Sequence, residues 1–439
     1  MSRAAGEMIE PKYSGGHVNR GFAPISEAIE AIRAGEMVIV VDDEDRENEG
    51  DLIMAAEKAT TSDVAFFLHH TSGFLCTAIT GERARHLGLD PMVTENTESM
   101  KTAFLVSVDY RPGTTTGISA SDRADTIRAL ADVDTQPNDL ARPGHILPLE
   151  ARPGGVLKRA GHTEAAVDLA VLAGLEPAGL LCEIVTGDKS GMARADELHD
   201  LAAEHGLLVI TIADLIRYRR QTEKLVSRIS TARIPTEWGD FTCHAFESTL
   251  DGIEHLAFTV GDVESPGAVL ARVHSECLTG DIFGSRRCDC GPQLRESMRL
   301  IAESGRGAVV YLRGHEGRGI GLGHKLRAYA LQENGLDTVD ANLELGLPVD
   351  SREYGVGAQI LVDLGITKMR LLTNNPAKYS GLSGFGLEIV ERVPLESTPT
   401  PENNRYLQTK RERMGHLLSA DVYDGTQPVD PASSPSQEQ

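Results

Sequence analysis

A chain of 439 residues is too long to close around one ordinary hydrophobic core, so it must divide. Two bodies of roughly 200 residues each are the natural solution. The join falls near Thr222 to Leu225, at the end of a helix carrying RYRRQTEK, whose basic run Arg217 to Arg220 reads as a solvated face. Residues 1–22 are polar and Gly-rich, and residues 420–439 are rich in Pro, Ser, Asp and Gln, so both ends are expected to be disordered. That leaves 23–221 and 222–419 as the two folded domains.

Each body mixes short buried strands with helices. In the first, Ile25, Ile29 and Ile32 fall at helical spacing and Gly35 stops the helix, after which Met37 to Val41 reads as a buried strand. A helix ending at Gly206, a strand from Leu207 to Ile212 and the basic helix close it. In the second, strands Val269 to His274, Ala308 to Leu312 and Met369 to Leu372 alternate with helices Gln293 to Ser304 and Leu322 to Asn334. The expected class is α/β with α+β character: two tandem mixed α/β domains, each a sheet covered by helices. Most loops after these strands carry unusual polar sets, as expected where ligands meet the carboxyl ends of strands.

A formal net charge of -22 makes nucleic acid an unlikely partner, and any phosphorylated substrate needs locally gathered cations. No apolar run approaches the roughly 18 residues of a membrane span, so no membrane is expected. Six cysteines without a signal-like leader point to a reducing, cytoplasmic setting.

Three of those cysteines, Cys277, Cys288 and Cys290, form a C-x10-C-x-C cluster. Gly284 and Gly291 permit the turn that puts two sulfurs on one metal, and Arg286 and Arg287 would favour thiolates. The spacing leaves two options: a catalytic zinc with an open position, or a closed Cys3His site completed by His274 or His315. Two further loops follow strands: GHEGRGIGLGHK, where backbone N–H groups and Arg318 can meet an anion, and LLTNNPAK, offering Thr373 and Lys378.

In the first body, DDEDRENEGD (Asp42 to Asp51) packs seven acids into ten residues directly after a buried strand. Such runs are commonly solvated turns, but the internal Arg46 suggests a site for a hard cation such as Mg²⁺. LKRAGHTEAAVDLA opens an apolar helix with Gly161, His162 and Thr163, an anion-binding arrangement with Arg159 beside it.

The second body resembles GTP cyclohydrolase II through RVHSECLTGD, SRRCDCGPQL, GHEGRGIG, KLRAYALQ, DTVDAN, LGLPVDSREYGVGAQIL, RLLTNNPAK and KRERMGHLL, over about residues 229–418. The resemblance implies hydrolysis of GTP to formate, pyrophosphate and 2,5-diamino-6-ribosylamino-4(3H)-pyrimidinone 5′-phosphate. It implies zinc on Cys277, Cys288 and Cys290, with Mg²⁺ accompanying GTP. It also implies GTP contacts at Arg272, Val273, His274, Ser275, Glu276, Gln293, Glu316, Gly317, Arg318, Thr338, Thr373 and Lys378. Asp350 matches a proton acceptor, Tyr329 a tyrosine implicated in ring opening, and Arg352 a nucleophile toward the α-phosphorus. A guanidinium with a pKa above about 12 fits phosphate-charge stabilisation equally well.

The first body resembles 3,4-dihydroxy-2-butanone 4-phosphate synthase from about Ile25 to Arg219, through VVDDEDRENEGDLI, TSGFLC, TTGISASDRADTIRAL, RPGHILPL, GGVLKRAGHTEAAVDLA, PAGLLCEI and MARADEL. The resemblance implies conversion of ribulose 5-phosphate to the four-carbon phosphate and formate. Glu47 and His162 match ligands of Mg²⁺ or Mn²⁺. Arg46, Glu47, Asp51, Thr116, Arg159, Ala160, Gly161, His162, Thr163 and Glu183 match sugar-phosphate positions, Thr115 stands beside Thr116, and His145 and Glu183 match essential positions. One stretch departs: SMKTAFLVSVD has Lys101 where Gly is expected and Leu105 where Thr is expected. Together the halves imply a bifunctional enzyme of riboflavin biosynthesis, a homodimer acting on two small molecules. The alternative is a cyclohydrolase with a silent N-terminal scaffold.

Overall fold

The computed structural model describes residues 21–333, 336–347, 354–375, 382, 385–395, 399–414 and 416–417. The two ends expected to be disordered fall outside these residues, apart from 21 and 22. The chain separates into two compact units after Thr222.

The first unit is built on strands β1 (Val38–Val41), β2 (Gly50–Ala55), β3 (Cys76–Thr80), β4 (Val108–Tyr110), β5 (Leu140–Ala151), β6 (Ala178–Glu183) and β7 (Leu208–Thr211), in the order β4-β5-β3-β6-β2-β1-β7. Only the β3–β5 and β1–β7 pairs are parallel. Both faces of the sheet are covered, and the two-residue period of a strand shows why. Val38 and Val40 pack with Ile29, Ile32, Leu169 and Leu215 on one face, while Ile39, Leu52 and Met54 pack with Phe67, Ile127 and Leu198 on the other. Strands apolar on both faces demand helices on both sides. Gly35 ends the first helix (Ile25–Ala34) in the left-handed region at φ 83°.

Gly144 on β5 lies against the backbone of β4: a Cβ there would stand 2.0 Å from the Val108 carbonyl carbon. Backbone cannot yield as a flexible side chain can. Gly144→Ala is therefore expected to separate β4 from β5 and destabilise the unit by about 1–3 kcal/mol. The check is a lower thermal midpoint; an unchanged midpoint would mean that β4 moves away freely.

The second unit contains β8 (Val226–Thr236), β9 (Gly239–Ser248), β10 (Glu254–Val260), β11 (Val269–Ser275), β12 (Gly307–Leu312), β13 (Lys368–Leu372) and β14 (Glu388–Val393), in the order β14-β13-β11-β12-β10-β9-β8. Neighbours from β14 to β12 are parallel, and β12-β10-β9-β8 is antiparallel. Helix Gly355–Asp363 covers one face through Ala358 and Leu361, and helix Cys290–Ser304 covers the other through Met298 and Ile301. Because β11, β12 and β13 are parallel, the loops that follow them emerge at one edge of the sheet. That edge holds the thiols, the GHEGRG loop and the TNN segment.

Candidate active sites

In the first unit the acidic run turns between β1 and β2, and Asp42 organises it. Asp42 accepts from the backbone N–H of Glu47 (3.1 Å) and of Glu49 (2.8 Å), and from Arg46 Nη1 (2.8 Å). Asp51, two residues into β2 from the turn, stands directly across the sheet from Glu183 on β6. Burial, with Glu183 and Glu47 close by, raises the Asp51 carboxyl well above its ordinary range. His162 begins helix His162–Leu172; its Nε2 lies 3.1 Å from the Val40 carbonyl and its Nδ1 lies 3.8 Å from Asp51 Oδ1. A carbonyl only accepts, so Nε2 carries the hydrogen and Nδ1 keeps its lone pair. Burial lowers the His162 pKa to about 4, which keeps the ring in the neutral form that can bind a metal. One ligand atom each from Asp42, Glu47 and His162 lie within 4.8 Å of one another.

Other positions ring this cluster. Gly161 lets Arg159 lie close over the backbone, since a Cβ would stand 2.5 Å from Arg159 Nη1 and push that side chain aside. Arg159 pairs with Glu164 (2.7 Å) and donates to Thr102 Oγ1 (3.0 Å). Ala160 is exposed and Thr163 buried. Thr115 spends its hydroxyl on Asp122 Oδ2 (2.7 Å), and the neighbouring Thr116 is exposed. Lys101 adopts a left-handed φ of 55°, a conformation that glycine takes without strain, and its ammonium donates to the Asn96 carbonyl. Leu105 is a core residue.

Two residues that sequence reasoning missed hold the expected catalytic pair. Asp109 Oδ2 lies 2.7 Å from His145 Nδ1, and its Oδ1 accepts the His145 backbone N–H at 2.8 Å. Ser72 Oγ donates to Glu183 Oε2 at 3.0 Å. His145 on β5 is two strands from Glu183 on β6, about 10 Å in a sheet.

In the second unit Cys277 follows β11 and Cys290 opens helix Cys290–Ser304. The three sulfurs lie within 4.8 Å of one another, with Cys277 and Cys288 3.7 Å apart. Gly280 is what allows this: a Cβ there would stand 2.9 Å from the Cys288 sulfur. Gly284 supplies a left-handed turn (φ 65°), whereas Gly291 matters for space, since its Cβ would meet the Gly280 oxygen at 2.2 Å. Hydrogen bonds from the Cys288 and Cys290 thiols push Cys277 far toward the thiolate.

The charge beside the thiols comes from Lys325 and not from Arg286 or Arg287. Lys325 Nζ lies 3.1 Å from Cys277 Sγ and 2.5 Å from Glu316 Oε1, while Arg286 pairs with Glu402 and Arg287 with Glu333. Burial opposes the Lys325 ammonium, but its bond to Glu316 prevails and holds it charged. His274 Nε2 is tied to Asp281 at 3.1 Å, and His315 Nδ1 lies 3.3 Å from Ser275 Oγ. Among the described residues no histidine joins the sulfur cluster, which removes the support for a closed Cys3His site.

Ser275, Glu276, Gly317, Arg318, Tyr329 and Thr338 line one cavity with the thiols. Arg272, His274, Gln293, Arg318 and Thr373 line an adjoining one. Val273 is core, so only its backbone can reach a ligand. Gly317 and Arg318 both take positive φ (60° and 68°), strained for the arginine. Glu316 Oε2 also accepts the Leu278 N–H at 2.6 Å, and burial raises the Tyr329 hydroxyl pKa. Asp350, Arg352 and Lys378 lie outside the described residues.

Two mixed α/β units, each with its own cluster of side chains that could hold a metal ion, define a chain with two separate candidate sites. The family model for 3,4-dihydroxy-2-butanone 4-phosphate synthase matches residues 26–218, and that for GTP cyclohydrolase II matches residues 227–394. The chloroplastic bifunctional riboflavin biosynthesis protein RIBA 1 of Arabidopsis thaliana is 63% identical over 90% of this chain and 73% of its own length. The riboflavin biosynthesis protein RibBA of Nocardia farcinica is 60% identical over 90% of this chain and 96% of its own. A crystal structure of RibBX, a two-domain 3,4-dihydroxy-2-butanone 4-phosphate synthase from A. baumannii, superposes with a TM-score of 0.65 at 39% identity, covering 85% of this chain and all of that one. The chain belongs to the bifunctional riboflavin biosynthesis family and carries both the synthase and the cyclohydrolase domain.

Proposed function

We propose that the two clusters are the working centres of the two reactions: Glu47 and His162 hold magnesium or manganese for ribulose 5-phosphate, and Cys277, Cys288 and Cys290 hold zinc for GTP. The observation that carries this reading is that each unit gathers one cluster of side chains whose ligand atoms are close enough to share a metal ion. The donor sets fit. Three sulfurs with no described fourth ligand suit zinc with an open position. A carboxylate beside a neutral imidazole suits a harder ion, and Asp42, with its oxygens engaged by the loop, braces Glu47.

When bound, these ions supply Lewis acidity toward water and substrate oxygens. The chain's own residues do the rest. In the first unit burial shifts the Asp51 carboxyl toward its protonated form, Glu183 is aimed by Ser72, and His145 is oriented by Asp109 to move protons during enediol formation and dehydration. Arg46, Arg159 to Thr163 and Thr116 bind the sugar phosphate. In the second, Arg272, Arg318, Thr373 and Lys378 gather the triphosphate, aided by Val273 to Glu276, Gln293, Glu316, Gly317 and Thr338. Tyr329 and Asp350 attend ring opening, and Arg352 steadies charge on the α-phosphate.

We also propose a homodimer in a cytoplasmic setting. The six unpaired cysteines favour a reducing compartment, and no described helix is long and apolar enough to cross a membrane. Light scattering should read twice the chain mass; a single chain mass would remove the dimer. The test of the metal assignment is reconstitution of stripped protein. With magnesium present, formate from GTP should return only when zinc is added, at about one equivalent per chain, and the four-carbon phosphate should return with magnesium alone. Ribulose 5-phosphate turnover that requires zinc would refute it.

A further inference from the structure

Helix Asn404–Met414, with the KRERMGHLL motif across its end, lies beyond residue 394, where the cyclohydrolase family model stops. The helix has little apolar periodicity, and it buries Thr409 and Lys410 alongside Leu407. Burying an ammonium is costly unless it is paired and hydrogen-bonded. Lys410 Nζ donates to Asp289 Oδ1 at 2.6 Å, and Asp289 is itself buried between two of the clustered cysteines. Asp289 Oδ2 accepts from Gln293 Nε2 (2.7 Å), Gln293 Oε1 accepts from Arg272 Nη2 (2.8 Å), and Arg272 Nη1 donates to the Leu372 carbonyl (2.9 Å). One chain of bonds thus joins this helix to the thiol loop, β11 and the end of β13. Past the helix, the Leu417 N–H donates to the Asn374 carbonyl at 2.9 Å, which ties its exit to the TNN segment.

This bracing fixes Tyr406, one turn before Lys410. Its ring centroid lies 4.7 Å from Lys410 Nζ and 5.8 Å from the Arg318 guanidinium carbon. Tyr406 lines both the thiol cavity and the adjoining cavity of Arg272, Gln293 and Thr373. Ser275, Cys290, Arg318 and Tyr406 are common to both walls. A nucleoside triphosphate with its base at the thiols and its phosphates at the cations has to pass this ring.

We propose that Tyr406 is a GTP-contacting residue, a platform on the common wall of the two cavities, with Lys410 as the positioning residue that holds it there. The proposal rests on the cyclohydrolase reading of this unit. Tyr406→Leu removes the platform and is expected to raise the KM for GTP about tenfold, with a smaller change in kcat, unchanged zinc content and unchanged ribulose 5-phosphate turnover. Tyr406→Phe, which keeps the ring, should recover most of the lost affinity.

A leucine variant with the parent KM and kcat overturns the proposal. A parent protein that releases no formate from GTP refutes the cyclohydrolase reading instead. Should the leucine variant lose zinc or fail to fold, hydroxyl-radical footprinting of the unaltered chain decides. A non-hydrolysable GTP analogue should protect Tyr406, and undiminished oxidation there overturns the proposal.

Discussion

Replacing Cys288 with serine is expected to abolish formate release from GTP while ribulose 5-phosphate turnover continues at the parent rate. Cys288 is buried and sits 3.7 Å from Cys277, so its thiol is both a member of the sulfur cluster and a donor that favours the Cys277 thiolate. A serine hydroxyl is a far poorer ligand for a soft-leaning ion such as zinc. Changes in outer partners of a metal site typically cost about 10–100-fold in affinity or activity, and loss of a ligand should exceed that range. The measurement is formate from GTP alongside zinc content and the four-carbon product. Loss of both activities would point to a folding defect, and retained GTP turnover would contradict a role for the sulfur cluster.

Asp109→Asn is expected to cripple the other site by about 10²–10⁴-fold, leaving GTP hydrolysis intact. Asp109 grips His145 twice, through Nδ1 and through the backbone N–H. An amide in its place can turn its NH2 toward the ring and select the wrong tautomer, while the fold is barely disturbed. Gly117 leaves room for the side chain at this position, since a Cβ there would stand 2.1 Å from Asp109 Oδ2, and the isosteric amide fits the same space. A drop of less than about tenfold would mean that Asp109 does not orient His145 for proton transfer.

The parts of this molecule legible in its sequence are those where a short stretch carries its own reason. Gly35 and Gly206 end their helices in left-handed caps as expected. The strands after which the thiols, GHEGRG and TNN fall were visible as apolar runs, and they are parallel neighbours. The C-x10-C-x-C spacing places its three sulfurs together.

What stayed hidden depends on partners distant in sequence. Lys325 is 48 residues from the thiolate that it accompanies, and Asp109 is 36 residues from His145. Neither distance leaves a local pattern, and a lone Asp or Lys in a charged sequence carries little signal. Helix Asn404–Met414 escaped for a different reason: its buried face includes a lysine and a threonine, so no amphipathic stripe marks it. The antiparallel ribbon of β8 and β9 was missed because most of β8 is exposed, which erases the alternation that signals a half-buried strand.

One chain is expected to run its two reactions at two independent active sites. The most direct test is product analysis of the purified protein with zinc and magnesium, given GTP alone, ribulose 5-phosphate alone, and both together. Formate and pyrophosphate are expected from the first, formate and the four-carbon phosphate from the second, and additive formate from the mixture. Formate from GTP with no four-carbon product from ribulose 5-phosphate would contradict that expectation.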